Sequence, residues 1–165
     1  MLIDKRTEES LNRLLQELFD GNAIIDNLVY NLVYNGYNEL GEAIHNPVAH
    51  KLPEWADEIS DLIDQMGGRP VRYGLEDHKD DIKEVKNVFI ELNYYFLTLR
   101  DIVNKIIEDV DLIGDAEVRI FMEDFLQRTL MPYVRQSEEW KKASERLSAD
   151  TFNIHIKEYT HYIKD

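Results

Sequence analysis

Apolar residues recur along this chain at the spacing of an α-helix, and the pattern breaks only where Gly and Pro gather. Leu11, Leu14, Leu15, Leu18, Ile25, Leu28 and Leu32 keep to one helical face. Thr7 followed by Glu8 and Glu9 offers an N-terminal cap with acids in the first turn, where the helix dipole favours them, and Asn35-Gly36 offers a stop. A first helix is predicted over residues 7–34. The second stretch carries Leu40, Ile44, Val48, Leu52, Trp55, Ala56, Ile59, Leu62, Ile63 and Met66, and ends at Gly67-Gly68-Arg69-Pro70. Pro47 and Pro53 fall inside it, and each removes a backbone donor and crowds the preceding turn. This helix is therefore expected to kink or to begin in earnest only near Pro53, which a first turn tolerates.

A connection is predicted from Gly67 to about His78, too long for a tight hairpin. The third stretch is the most regular, with Ile82, Val85, Val88, Phe89, Leu92, Tyr95, Phe96, Leu99, Ile102, Val103, Ile106 and Val110 on one face, about eight turns of unbroken amphipathic pattern. Gly114 stops it and Asp115 caps the next, which carries Val118, Phe121, Met122, Phe125, Tyr133 and Trp140 and is interrupted midway by Pro132. Phe152, Ile156, Tyr159 and Ile163 predict a short fifth helix within residues 148–163. Four long helices, two tight turns and one longer connection between the second and third describe an all-α four-helix bundle with a crossover. The first two helices then form one antiparallel pair and the last two another. The expected organisation is a single domain over residues 1–165, with the bundle over about 7–144 and a C-terminal extension over 145–165.

Composition narrows the chemistry. The chain has 165 residues with 33 Asp plus Glu, 19 Lys plus Arg, a net charge of −14 and no Cys. Disulfide frameworks, thiolate metal sites and cysteine nucleophiles are excluded, so a metal here rests on carboxylate and imidazole. The negative balance opposes nucleic-acid binding, which draws its affinity from Lys and Arg replacing condensed counterions. No apolar run approaches the roughly 20 residues that cross a bilayer, and the start MLIDKRTEES lacks the apolar centre of a signal peptide. No membrane partner is expected, and a cytoplasmic location is the default.

The constellation with metal-binding chemistry is His50, Glu54, Asp57, Glu58 and Asp61 on HKLPEWADEISDLIDQMGG. Asp57 and Asp61 stand one turn apart on one face, with Glu54 and His50 on the turns before. Hard oxygen ligands with an occasional imidazole suit iron, manganese, calcium or magnesium. The same acids also fit the solvated face of an amphipathic helix whose other face holds Trp55, Ile59 and Leu62. Glu39, Glu42 and His45 lie before Pro47 and offer further ligands, although His45-Asn46-Pro47 reads as a loop. His78, among Glu76, Asp77, Asp80 and Asp81, is expected to help begin the third helix. His155 and His161 are expected on the surface, and Tyr30, Tyr34, Tyr37, Tyr94 and Tyr95 in core or interface packing.

The order of SLNRLLQELFD, YNLVYNGYNEL, ADEISDLIDQMGGRP and GDAEVRIFMEDFLQRTLMPYVRQSEEW resembles the ferritin superfamily, more particularly its Dps branch (DNA-binding protein from starved cells), over about Ser10 to Trp140. The most specific element is D-x-x-x-[DE]-x-x-x-x-x-G-G-x-P, met by Asp57, Asp61, Gly67, Gly68 and Pro70. The resemblance implies a ferritin-like bundle assembled into a hollow shell of twelve subunits that binds, oxidises and stores iron. It also implies an oxidation site shared between two subunits, with an acid pair from the second helix of one and two histidines from its neighbour. Asp57 and Asp61 match the acid pair, with Asp in place of the usual Glu. The histidine positions fall on Tyr30 or Asn31 and on Glu42 or Ala43, so the nitrogen donors are missing. The within-bundle di-iron site of ordinary ferritins needs E-x-x-H on the second and fourth helices. Glu42 with His45 is its one candidate, and the fourth helix has none.

Two functional expectations follow. One is a Dps-like homo-oligomer, a dodecamer in the family pattern, that binds iron through Asp57 and Asp61 with Glu42, Glu54 and His50 as helpers, and oxidises it weakly. The other is a ferritin-like helical scaffold that has lost the metal centre. The DNA-binding members' Lys-rich tail is replaced at the N-terminus by Lys5 and Arg6 alone, so DNA is not an expected partner.

Overall fold

The structure is a computed structural model and describes residues 2–164. Helix α1 (Lys5–Tyr34) is capped by Asp4, whose carboxylate accepts from the Arg6 and Thr7 amides, so it begins a half-turn before the Thr7 start that the sequence suggests. Thr7 is buried inside the helix instead. Gly36, at φ 91°, closes the turn into the second arm, as the Asn35-Gly36 signal predicts.

The second arm is helical from its start rather than from Pro53. It comprises α2 (Asn38–Ile44), a π-helical turn (His45–Ala49) and α3 (Lys51–Gln65). A π-turn takes in an extra residue and widens the coil, so Pro47 is accommodated without ending the helix and His45-Asn46-Pro47 is not a loop. Pro53 sits in the first turn of α3. The same device recurs in the fourth arm, where α5 (Ala116–Asp124) passes through a π-helical turn (Phe125–Leu130) into α6 (Met131–Arg146). The π-helical turn just before Pro132 carries the arm past the proline, so the arm stays helical through it instead of breaking there. The third arm is one helix, α4 (Val85–Leu112). Gly114 and Asp115 act as predicted: Gly114 takes φ 74°, and the Asp115 side chain accepts from the Val118 amide.

α1 packs most heavily on α3, and α4 on α6, while α1 against α4 joins the two pairs. The interior is apolar and aromatic. Trp55 meets Tyr133, Phe125 and Phe96 edge-on at ring-centroid distances of 4.8, 6.1 and 6.4 Å. A second group joins Phe89 to Phe152 and Trp140 at 5.1 and 5.9 Å. Aromatic edges set against faces in this way add to the burial of the rings.

The connection between the pairs runs to Glu84, well past His78, and Ile82 is buried in it rather than opening α4. It lies extended along α1 and is held by polar residues one helical turn apart. Glu8 accepts from the Arg69 amide, Asn12 bonds Arg69 and Val71, Gln16 donates to the Gly74 carbonyl, and Asn35 donates to the Ile82 carbonyl. Asn31 donates to the Asp80 carbonyl and accepts from the buried Ile82 amide, both at 2.9 Å. His78 bonds Asp20 at 2.7 Å, so it pins the crossover to α1 and does not start α4. Arg72 lies over the Phe19 ring at 3.7 Å.

The fifth helix is shorter than the apolar spacing suggests: α7 (Ala149–Ile154), then a single 3₁₀ turn (Ile156–Tyr159). Asn153 of α7 accepts from the Leu40 amide and donates to Glu39, which docks the extension on α2. Residues 159–162 then cross α6. The buried Gln136 side chain holds the Tyr159 carbonyl and the Tyr162 amide, both at 2.9 Å. Trp140 donates to Thr160, and Glu139 accepts from His161.

Candidate metal site

The acids singled out in the sequence lie outside the bundle. α3 turns Leu52, Trp55, Ala56, Ile59, Leu62 and Ile63 inward, which leaves Glu54, Asp57, Glu58 and Asp61 on its solvent side. Asp57 and Asp61, one turn apart, are both exposed. Asp61 shares with Glu58 and Asp124 a shallow cleft of about 200 Å³ between α3 and the fourth arm. Asp124 is paired with Arg128 at 2.6 Å. Burial pushes the Glu58 carboxyl up from its ordinary value; Arg128 opposes this, and Asp124 and Glu54 add to it. Glu54 does not line this cleft and pairs with Lys51 at 3.5 Å. Glu42 is exposed on α2.

His50 has a different set of neighbours from the one its sequence spacing suggests. Its ring meets that of His45 edge-on, with centroids 4.5 Å apart. Five residues on a regular α-helix would point these two side chains in divergent directions. On the π-turn, where the His50 amide bonds the His45 carbonyl, they meet edge to face. Burial raises the pKa of Asp26 on α1, and the charges of His45 and His50 pull it back. Reading the segment at α-helical period conceals this group, and a π-turn has no reliable sequence signal. The tyrosines divide as well: Tyr95 is buried, whereas Tyr30, Tyr34 and Tyr94 are exposed. Of the positions where the resemblance calls for histidine, Tyr30 is exposed, while Asn31 is committed to the crossover.

A di-metal centre inside a bundle needs several inward carboxylates and imidazoles. The buried polar side chains here are Thr7, Asn12, Asn31, Asn93, Gln136, Ser137, Ser144 and Asn153, with no carboxylate or imidazole among the described residues. Leu52 and Trp55 take inward positions three apart on α3, and the rings of Phe96, Phe125 and Tyr133 fill the space around the indole. The residues present do not fit such a centre. On the surface, among the described residues, no three Asp, Glu or His side chains of one chain converge closely enough to hold an ion.

No protein-family model matches the sequence, and no curated protein matches it. Solved structures do. The chain superposes on an open-pore ferritin from the hyperthermophilic archaeon Archaeoglobus fulgidus with a TM-score of 0.86 at 12% identity, over 96% of this chain and 98% of that one. The fold is that of a ferritin. An engineered closed form of the Archaeoglobus fulgidus ferritin gives a TM-score of 0.82 at 14% identity, and a humanized archaeal ferritin gives 0.85 at 12%, each over 96% of both chains. The ferritin-like bundle, its crossover and its short C-terminal helix are thus as the sequence predicts. At these identities the likeness concerns the fold, and the packed interior described above is this chain's own.

Proposed function

We propose that this protein is a Dps-like subunit of a cytoplasmic homo-oligomeric shell that takes up iron at surface carboxylates, with Asp57 and Asp61 as the principal ligands, and stores it with at most weak oxidation. The observation that carries this reading is the exposed one-turn pair Asp57 and Asp61 on a ferritin bundle with an overall charge of −14. Oxygen ligands of this kind suit Fe(II), and an acidic surface concentrates cations ahead of binding. A single chain brings two of these ligands together, so a complete site takes further donors from a second subunit. Glu42, Glu54 and His50 are the candidates. Tyr30, Val33 and Tyr34, exposed in a row on α1, supply an apolar face of the sort that subunits bury against one another. Weak oxidation follows from the interior, which offers no metal ligands around Trp55.

That same interior favours a second reading, in which the bundle serves as a scaffold without metal. Native mass and metal content separate the two. Purified protein is loaded with Fe(II) aerobically, desalted, and measured by light scattering and elemental analysis. The iron-storage reading expects a shell, twelve subunits in the Dps-like case, with iron co-eluting, and a large loss of that iron in Asp57→Asn with Asp61→Asn. A monomer or dimer free of iron overturns it in favour of the scaffold.

A further inference from the structure

The outer flank of α6 carries the opposite charge to the rest of the molecule. Arg135, Lys142 and Arg146 line a cleft of about 580 Å³ together with Arg100 of α4. Four of the chain's 19 Lys and Arg thus face one space. Among the described residues, Arg135, Lys142 and Arg146 have no carboxylate within ion-pair distance, and Arg100 has only its neighbour Asp101 at 3.7 Å. The carboxylates on the lining are Glu138 and Glu139, and Glu139 is engaged by His161 and Gln136.

The rest of the wall is apolar and aromatic. Leu97, Met131, Val134, Tyr159 and Tyr162 contribute to it. The two tyrosines are held there by structure: Gln136, 1% exposed, donates to the Tyr159 carbonyl and accepts from the Tyr162 amide, and Trp140, equally buried, holds Thr160 between them. The strap that forms this wall is therefore fixed before any ligand arrives. A volume of this size falls within the range of small-molecule clefts, which pair an apolar body with a few placed polar groups. Guanidinium groups suit oxyanions, because their paired N–H donors match two oxygens of a carboxylate, phosphate or sulfonate.

We propose that this cleft between α4, α6 and the C-terminal strap is a binding site for a small organic anion with a flat, apolar body. The cations hold the anionic group, and the tyrosines with Leu97, Met131 and Val134 cover the body. In a chain of net charge −14 the long-range field repels anions. Affinity must then come from several short contacts at once, which excludes ligands bearing charge without a body to bury.

The test uses two fluorescent probes that share an aromatic body and differ in charge: 8-anilinonaphthalene-1-sulfonate and neutral N-phenyl-1-naphthylamine. The expected result is saturable binding of the sulfonate, at least about tenfold tighter than the neutral probe, with amide shifts at Tyr159 and Tyr162 by NMR. Arg135→Glu with Lys142→Glu should weaken the sulfonate about a hundredfold, since two charged contacts are lost and each is worth about tenfold, and should leave the neutral probe unaffected. Both side chains are exposed, so the fold is retained; Arg146→Gln, a milder change, should give a smaller loss of the same kind. Equal binding of the two probes, unchanged sulfonate binding in the charge-reversed protein, or shifts confined to another region overturn the proposal. A changed native mass in the variant with sulfonate binding intact also overturns it and makes this flank a contact between copies.

Discussion

The phenol ring of Tyr95 occupies the space where a side chain of Gly21 would stand. A Cβ built on Gly21 would lie 1.9 Å from the Tyr95 hydroxyl oxygen and 2.1 Å from its ring carbon Cζ. The hydroxyl uses that gap to reach α1 and donate to the Glu17 carbonyl at 2.9 Å. α1 and α4 approach at this point because one contributes a ring and the other contributes nothing beyond backbone. Gly21→Ala should therefore destabilise the fold by about 1–3 kcal/mol, the usual cost of overpacking, despite the roughly 1 kcal/mol that Ala gains over Gly in helix propensity. Tyr95→Phe keeps the ring and loses one hydrogen bond, worth about 1 kcal/mol. Chemical denaturation checks both, and a Gly21→Ala protein at least as stable as the parent would contradict the close approach.

Asn31 ties the crossover to the bundle through both ends of its amide. Asn31→Ala leaves the buried Ile82 amide without a partner, at a cost of about 1–3 kcal/mol. Hydrogen exchange should show the loss locally, with faster exchange at Ile82 and neighbouring crossover amides while α4 stays protected.

Trp55 separates stability from iron uptake. It is 4% exposed and sits at the centre of the aromatic group, so Trp55→Ala should cost about 3–5 kcal/mol. If iron is taken up by surface carboxylates, iron per subunit stays at the parent level in whatever fraction remains folded. A proportional fall in bound iron from folded protein would point to the interior instead.

Burial raises the carboxyl pKa of Glu17, with the Asp20 charge adding to it, and burial also raises Asp26, Glu58 and Glu91. A carboxyl whose pKa is higher folded than unfolded keeps its proton longer in the folded state. Each such group therefore lowers stability as pH rises from the ordinary value, 4.5 for Glu, through the raised one. Thermal unfolding at about pH 4.5, near the ordinary Glu value, should accordingly occur at a higher temperature than at about pH 7. Glu17→Gln should reduce that difference by raising the value at the higher pH, and an unchanged slope would remove Glu17 from the account.

The helices were legible because their signal is local. Apolar residues at helical spacing, the stop at Asn35-Gly36 and the cap at Asp115 depend on neighbours a few positions away, and α1, α4 and the hairpin turns lie where the pattern predicts within a few residues. Asp57 and Asp61 were likewise recognisable as a pair on one face, since a regular helix sets that relation. Their exposure also followed from Trp55, Ile59 and Leu62 opposite.

What escaped the sequence depends on groups distant along the chain or on a change of helical phase. Glu8 reads as a first-turn acid and Asn31 as a position where the resemblance expects histidine, and only the folded crossover joins them with Asn12 and Gln16 into its ladder. His45 and His50 diverge at α-helical period and meet because a π-turn adds a residue between them. Gln136 and Glu139 of α6 gain their role only from the strap that folding brings across them. By itself the sequence determined where helices form and which face each buries, because 3.6-residue periodicity and backbone chemistry act within a few turns. Only the tertiary structure decided which polar side chains hold the chain together and which remain free to bind, because a hydrogen bond or a charge has its role set by the partner that folding brings to it.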